Sequence, residues 1–146
     1  MTISSFVGDV DFVVKSGLPI SASYSASKSA VNMVNAKYAA EFREKEFVFL
    51  AVSPGFVGTW DHKSKSLCTP PVAVVIYLWT GKGLPSEFAK RIDAIAQVFK
   101  KVARPDWEAQ PSTPEKSVEL VLGVIDRATP ADSGKFVSQF GNQVWL

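Results

Sequence analysis

The sequence predicts an α/β fold in which a helix joins two strands of a parallel sheet, and three stretches support this prediction. Residues 2–5 resemble the end of a strand that runs into a turn at Gly8. Residues 23–44 place apolar side chains at steps of three and four, as an amphipathic helix does. Residues 47–52 form a continuous apolar run, typical of a strand buried on both faces, before Ser53-Pro54-Gly55 breaks it. Strand, helix and buried strand in this order indicate a βαβ unit.

The first strand has almost no chain before it, so we expect its parallel neighbours to lie upstream of Met1, outside this sequence. Residues 9–23, around Gly17 and Pro19, alternate apolar and small side chains and are predicted to form a loop. The helix that follows should bury one apolar stripe. Small residues in its first turns would allow another backbone or a flat ligand to approach closely. The stripe comprises Ala26, Ala30, Met33, Val34, Ala36, Tyr38, Ala39 and Phe42.

The C-terminal part continues the alternation of helix and strand. Residues 86–102 carry an apolar stripe at helical spacing, which we expect to cover the substrate side. Thr113 and Pro114 are typical of a helix N-cap and a first helical position, and this helix should end near Arg127. After a turn, residues 135–138 are predicted to be the last strand.

Composition places the chain among ordinary globular proteins of one domain. It has 146 residues, of which 47% are hydrophobic and 21% charged, and its formal net charge is +2. That length suffices for one domain with a sizeable core. No long run of lysine and arginine occurs, which argues against nucleic acid as a partner. The single cysteine, Cys68, excludes an internal disulfide and fits a reducing compartment.

The sequence carries no clear signal for a metal site or a membrane. The only histidine is His62, and no His/Cys cluster with metal-ligand spacing occurs, so we predict no metal site. The first residues lack the basic and apolar regions of a signal peptide, and we expect a cytoplasmic protein. Residues 72–79 are apolar but far fewer than the roughly 20 that a membrane-spanning helix needs. We therefore expect no membrane partner, with anchoring through this stretch as a minor alternative.

The pair Tyr24 and Lys28 is the strongest candidate for chemistry. A spacing of four residues places both side chains on one helical face. An ammonium beside a phenol favours the phenolate and lowers the pKa of the phenol from about 10 toward the range useful for proton transfer. The same spacing also occurs by chance on many amphipathic helices, so the pair alone does not establish catalysis. Because ligands of parallel sheets bind beyond the carboxyl ends of the strands, Ser5 and residues 54–59 should lie at the same edge.

Three motifs in this order resemble the C-terminal half of a short-chain dehydrogenase/reductase: Ile3-Ser4-Ser5-x-x-Gly8, Tyr24-x-x-x-Lys28 and Pro54-Gly55-x-Val57-x-Thr59. The tail, from Thr113 to the terminal Gly-Asn-Gln-Val-Trp-Leu, is similar to fungal members of that family often described only as NAD(P)-binding proteins. The resemblance implies a partial Rossmann-like, doubly wound parallel sheet, with residues 1–146 forming a single partial domain.

By that resemblance, Tyr24 would protonate the substrate carbonyl oxygen during reduction, and Lys28 would lower its pKa and hold the nicotinamide ribose. Ser5 would polarise the same carbonyl, with Ser4 as the alternative. Ser5 lies 19 positions before Tyr24, a longer gap than is usual in the family. The substrate would be a small carbonyl compound or alcohol, and a homo-oligomer could form through the helix following Tyr24. The cofactor, NAD or NADP, would contact Tyr24, Lys28, Pro54, Gly55, Val57 and Thr59.

The family's glycine-rich dinucleotide fingerprint is missing, since Gly81-Lys82-Gly83 does not follow a strand and open a helix. Adenosine and pyrophosphate recognition should therefore lie outside this sequence, which we expect to be a fragment, a truncated gene model or a diverged half-protein. An alternative function follows: a non-catalytic fragment that keeps the family's packing surface but cannot bind the dinucleotide alone. Residues 61–84 are expected to be an atypical insert or a substrate loop, in which neither His62 nor Cys68 is predicted to be catalytic.

Overall fold

The computed structural model describes residues 1–18, 21–57, 98 and 112–145 of the chain. Within these ranges, the predicted strands and helices occur in the predicted order, with one additional helix. Along the chain the elements are β1 (Thr2–Ile3), a 3-10 turn (Phe6–Gly8), α1 (Val10–Ser16), α2 (Ala22–Glu41), β2 (Ala51–Ser53), α3 (Pro114–Arg127), a second 3-10 turn (Pro130–Asp132) and β3 (Phe136–Ser138).

The strands form one parallel sheet in the order β1–β2–β3. Thr2 pairs with Ala51 and Ile3 with Val52, while β3 pairs with the other edge of β2, in register with Phe136 opposite Ala51. All three residues of β2 are fully buried, as expected for a strand with a neighbour on each side. The predicted βαβ unit, here β1, α2 and β2, is therefore confirmed.

Two apolar clusters pack on opposite faces of the sheet. Phe136 and Val137 are consecutive strand residues that point to opposite faces, and each packs with a different cluster. One cluster joins Val52 and Val137 to Val121 and Val124 of α3. Layers on both faces are the doubly wound arrangement that the resemblance implies. The cluster against Phe136 is built from Phe6, Val7, Phe12, Leu18 and Trp145.

The prediction of a loop over residues 9–23 is wrong, because α1 occupies Val10–Ser16. The Asp9 carboxylate caps this helix by accepting a hydrogen bond from the Phe12 N–H, with 2.6 Å between oxygen and nitrogen. Gly17 ends it in the left-handed conformation, at φ 66°. Both are ordinary helix boundary signals, but seven residues are too few for a clear apolar period.

The prediction that α2 buries one apolar stripe is also wrong within the described residues. Met33, Val34 and Tyr38 are 60%, 54% and 48% exposed, and the buried residue of the helix is Asn35. Steps of three and four between apolar residues reveal which face a helix could bury. They do not reveal which face the rest of this chain contacts.

Polar side chains spaced three residues apart attach α2 to the sheet side of the molecule. Each makes a hydrogen bond to an element distant in sequence, so directional bonds help to fix the buried face of the helix. These bonds run from Ser29 Oγ to the Gly8 carbonyl (2.8 Å), from Ser4 Oγ to Asn32 Oδ1 (2.6 Å) and from Asn35 Nδ2 to the Phe49 carbonyl (3.4 Å).

The apolar run at residues 47–52 enters the sheet later than predicted. β2 begins at Ala51, and Phe47 is 58% exposed, so the expected burial fails in the first half of the run. Phe47 and Phe49 instead form an aromatic cluster with Tyr38 and Phe42, with ring centroids 5.7 to 6.4 Å apart. The run is apolar there because it packs against the end of α2.

The C-terminal helix and strand agree with prediction. The Thr113 hydroxyl caps α3, Pro114 is its first residue, and β3 begins one residue after the predicted start. In the connection between them, Asp132 accepts hydrogen bonds from the Lys135 ammonium and from the backbone and hydroxyl of Thr129. These bonds hold the pKa of the Asp132 carboxyl well below its usual range.

Candidate active site

Tyr24 and Lys28 lie in the first two turns of α2, on the side of the carboxyl end of β1. Tyr24 is 45% exposed, and the Lys28 ammonium lies 5.6 Å from the centroid of its ring. That separation is within the range of an attractive cation–π contact. The predicted shared face of the two side chains is therefore present, with the phenol open to a ligand.

Lys28 also ties α2 to the sheet. Its Nζ donates a hydrogen bond to the Ile3 carbonyl, the last of β1, at 3.1 Å. An ammonium has three donors, so this bond leaves capacity for hydroxyl groups of a ligand. The arrangement brings one positive charge, one phenol and the end of β1 together at the edge of the sheet where parallel α/β folds bind ligands.

The close approach of α2 to Gly8 fixes the position of Lys28. A Cβ added to Gly8 would lie 2.8 Å from Lys28 Cβ and 2.9 Å from the Lys28 carbonyl carbon, nearer than such atoms pack. Ser29, one residue further, donates to the Gly8 carbonyl. The backbone of Gly8 thus approaches this part of the helix closely because Gly8 has no side chain.

The two candidate serines have different surroundings. Ser4 is 2% exposed, and its hydroxyl donates to Asn32 Oδ1. Ser5 is half-buried, has an extended backbone and precedes the 3-10 turn, which its hydroxyl does not cap. The Ser4 hydroxyl thus holds α2, whereas the Ser5 hydroxyl does not cap the turn that follows it.

The end of β2 lies beside this group. Ser53 Oγ accepts a hydrogen bond from the Phe6 N–H at 3.1 Å, which joins the residue after Ser5 to the last residue of β2. Pro54 and Gly55 follow, and Gly55 has φ 82°, a conformation that side chains disfavour. Pro54, Gly55 and Val57 therefore leave the sheet at the same edge as Ser5, whereas Thr59 lies outside the described residues.

Asn32 and Ser29 are site-supporting residues that the sequence analysis missed. The sequence pattern that could have revealed them is a polar residue at every third position, Ser29, Asn32 and Asn35. The apolar residues of the same helix form a more obvious pattern. Residues 61–84, with His62, Cys68 and the apolar stretch 72–79, lie outside the described ranges, and so does all of 86–102 except 98.

Two observations on the described residues bear on the predicted absence of metal and membrane partners. Among these residues, no group of three or more His, Cys, Asp and Glu side chains is placed to hold a metal ion. The described helices also include none with the length and apolar character that a bilayer crossing demands.

Several fungal proteins are similar to this chain along its whole length, although no protein-family model matches it. The short-chain dehydrogenase/reductase atnB of Arthrinium sp is 33% identical over 144 residues, which are 99% of this chain and 46% of atnB. The short-chain dehydrogenase/reductase AacuF of Aspergillus aculeatus is 34% identical over 148 residues, covering 100% of this chain and 47% of AacuF. The chain thus spans about half the length of the curated relatives that it matches.

One solved structure has a similar fold. An NADPH-bound carbonyl reductase from chicken fatty liver superposes with a TM-score of 0.55, covering 96% of this chain and 39% of the reductase at 21% identity. Similarity at this level of identity supports the fold, a partial Rossmann-like parallel sheet, and no finer property. The fungal relatives identify the chain as homologous to the short-chain dehydrogenases/reductases, of which it spans less than half.

Proposed function

We propose that this chain carries the acid/base half of an NAD(P)-dependent oxidoreductase that interconverts a small carbonyl compound and its alcohol. The observation that carries this proposal is the position of the Lys28 ammonium. It lies 5.6 Å from the centre of the Tyr24 ring and 3.1 Å from the carbonyl that ends β1. The Lys28 ammonium therefore contacts both the Tyr24 ring and the end of β1, which lies two residues before Ser5.

In the reductive direction, Tyr24 would donate its phenolic proton to the carbonyl oxygen of the substrate. Lys28, the nearest cation, would stabilise the negative charge left on the phenol oxygen, and its free donors would bind ribose hydroxyls. Ser5 would donate a hydrogen bond to the same carbonyl oxygen and orient it toward Tyr24. In the oxidative direction the Tyr24 phenolate would accept the proton of the alcohol.

The residues at the sheet edge fit the nicotinamide half of the cofactor. Gly55, at φ 82°, turns the chain just after β2, between Pro54 and Val57. These residues, together with Lys28 and Thr59, would hold the nicotinamide and its ribose. When bound, the nicotinamide would supply or accept the hydride. The glycine-rich loop that cradles pyrophosphate is not encoded in this sequence, so NAD and NADP are equal candidates here.

A second candidate function is a non-catalytic polypeptide that keeps the packing surface of the family. The observation that favours it is the same missing glycine-rich loop, together with a described sheet of three short strands. Such a chain would fold and associate with a longer relative without binding the dinucleotide.

Titration of the purified chain with NADH and NADPH, followed by nucleotide fluorescence, separates the two functions. The oxidoreductase proposal expects saturable binding of at least one nucleotide, weakened about 10-fold in Lys28→Met, because a hydrogen bond from a charged donor is lost. Lys116→Met, an equally large change at an exposed lysine of α3, should bind like the unaltered chain. Absence of saturable binding to both nucleotides would favour the second function.

We further propose that the exposed apolar face of α2 forms a homo-oligomer contact. Met33, Val34 and Tyr38 line a groove of about 280 Å³, with Lys37 and Glu41 beside them. In a two-fold pairing of antiparallel helices, Lys37 of one copy would face Glu41 of the other, so the face is complementary to itself in charge and apolarity.

Met33→Glu should shift the chain toward monomer, because it places a carboxylate in the centre of the apolar contact. Light scattering after size exclusion measures the change. Val118→Glu is the matched control, since Val118 is similarly exposed, at 56%, but lies on α3. A monomeric unaltered chain at every concentration tested would contradict the oligomer proposal.

A further inference from the structure

The segment from Pro54 to Val57 is held by residues that lie far away in sequence. Ser117, in the first half of α3, donates from its Oγ to the Pro54 carbonyl at 2.9 Å and is only 4% exposed. The Ser112 N–H donates to the Phe56 carbonyl, also at 2.9 Å, and Ser112 forms a parallel bridge with Val57. Ser112 and Ser117, which lie just before and within the start of α3, thus bind two carbonyls of this short irregular segment.

Gln139 packs against the same segment from the end of β3. A Cβ added to Gly55 would lie 2.6 Å from Gln139 Nε2 and 2.8 Å from its amide carbon. Gln139 is 6% exposed, and its Oε1 has no hydrogen-bond partner among the residues that the structure describes. Within the described part of the chain, the amide therefore contributes by filling the space behind Gly55.

We propose that Ser117 and Gln139 are positioning residues that fix the Pro54–Val57 segment, and through it the nicotinamide. Only the second part of this inference, the effect on the nicotinamide, rests on the proposed function. Ser117 fixes the segment along its backbone by holding the Pro54 carbonyl. Gln139 blocks displacement of Gly55 away from the cofactor side. Neither side chain touches the cofactor, so both act through the backbone that does.

Amide hydrogen exchange on the full chain tests the first half without any ligand. The Ser112 N–H reports on the segment because it bonds to Phe56, and the Ser4 N–H, bonded to Val52 at 2.8 Å, reports on the β1–β2 pairing. Ser117→Ala should accelerate exchange at Ser112 roughly 2- to 10-fold, the effect of losing one neutral hydrogen bond, and leave Ser4 unchanged. General destabilisation would instead accelerate both amides.

Ser16→Ala is the matched control for Ser117→Ala. Ser16 is also a buried serine, at 7% exposure, whose hydroxyl donates to a carbonyl, here that of Val13. It lies in α1, and its described hydrogen bonds go to Val13 and Leu18 rather than to the segment, so its loss should leave exchange at Ser112 unchanged. Equal exchange at Ser112 in Ser117→Ala and in the unaltered chain would overturn the proposed role of Ser117.

Gln139 is tested by two substitutions that differ in volume. Gln139→Ala removes the packing behind Gly55 and should accelerate exchange at Ser112. Gln139→Leu keeps a similar volume and removes a buried oxygen without a described partner, so protection at Ser112 should be retained. If Gln139→Leu loses as much protection as Gln139→Ala, the amide acts through bonding, and the packing role is overturned.

The link to the nicotinamide is tested by the fluorescence titration with NADH and NADPH. Ser117→Ala should raise the dissociation constant of the bound nucleotide roughly 2- to 10-fold, whereas Ser16→Ala should not. Unchanged binding in Ser117→Ala overturns this link while leaving the proposed function intact. If the unaltered chain binds neither nucleotide, both the proposed function and the link between Ser117 and nicotinamide binding are overturned. Hydrogen exchange at Ser112 still decides in that case whether Ser117 and Gln139 fix the segment, because that experiment needs no ligand.

Discussion

Tyr24→Phe should lower the turnover number for carbonyl reduction by about 10²- to 10⁴-fold, the usual contribution of a positioned general acid. The substitution removes only the hydroxyl, and at 45% exposure the ring has no tight packing to lose. The ring face that contacts the Lys28 ammonium is also kept. The midpoint of unfolding should therefore stay within error of the unaltered chain.

Tyr38→Phe is the control for this experiment. Tyr38 lies on the same helix, is 48% exposed, and stacks through its ring on Phe42 and Phe49, so its hydroxyl is equally dispensable for packing. Steady-state rates with saturating nucleotide measure both variants. Turnover in Tyr24→Phe equal to that in Tyr38→Phe would remove Tyr24 from the proposed chemistry.

Gly8→Ala should lower the free energy of unfolding by about 1–3 kcal/mol, the usual cost of forcing a methyl group into filled space. The new Cβ would meet Lys28 at its Cβ and at its carbonyl carbon, and neither atom can move unless α2 moves. Displacement of α2 also lengthens the bonds from Lys28 to Ile3 and from Ser29 to Gly8. Nucleotide binding should therefore weaken together with stability.

Chemical denaturation gives the change in stability, with Gly123→Ala as the reference. Gly123 lies inside α3, and a Cβ there would meet only the mobile end of the Arg127 side chain, at 3.2 Å. Alanine is also the better helix former by up to about 1 kcal/mol, so this variant should be as stable as the unaltered chain or more stable. Similar stability in Gly8→Ala and Gly123→Ala would contradict the close packing of α2 on Gly8.

The sequence predicts those parts of the fold and candidate site whose signals are local. Tyr24 and Lys28 need only their spacing, and the end of β2 needs only the break at Ser53-Pro54-Gly55. The boundaries of α1 were also local, at Asp9 and Gly17, but a short helix has a weak period. These elements can be recognised because each depends on neighbours within a few residues.

The remaining features depend on partners that no local pattern reveals. Asn35 is buried because its amide meets the Phe49 carbonyl, which faces α2 only once β2 is in the sheet. Ser117 bonds to Pro54 across 63 positions of sequence. A serine or asparagine in a helix is ordinarily predicted to face solvent, and tertiary hydrogen bonds override that expectation here. The buried face of α2 and the support of the Pro54–Val57 segment were therefore beyond sequence reasoning.

The polar attachment of α2 has a consequence for how the surface of this chain can change. Apolar contacts tolerate sliding and turning, whereas hydrogen bonds require their own geometry. A rotation of α2 about its axis by one residue, about 100°, would break the bonds of Ser29, Asn32 and Asn35 at once. The outward residues Met33 and Val34 make none of these bonds. Substitutions there can alter the choice of partner without turning Tyr24 and Lys28 away from the sheet edge.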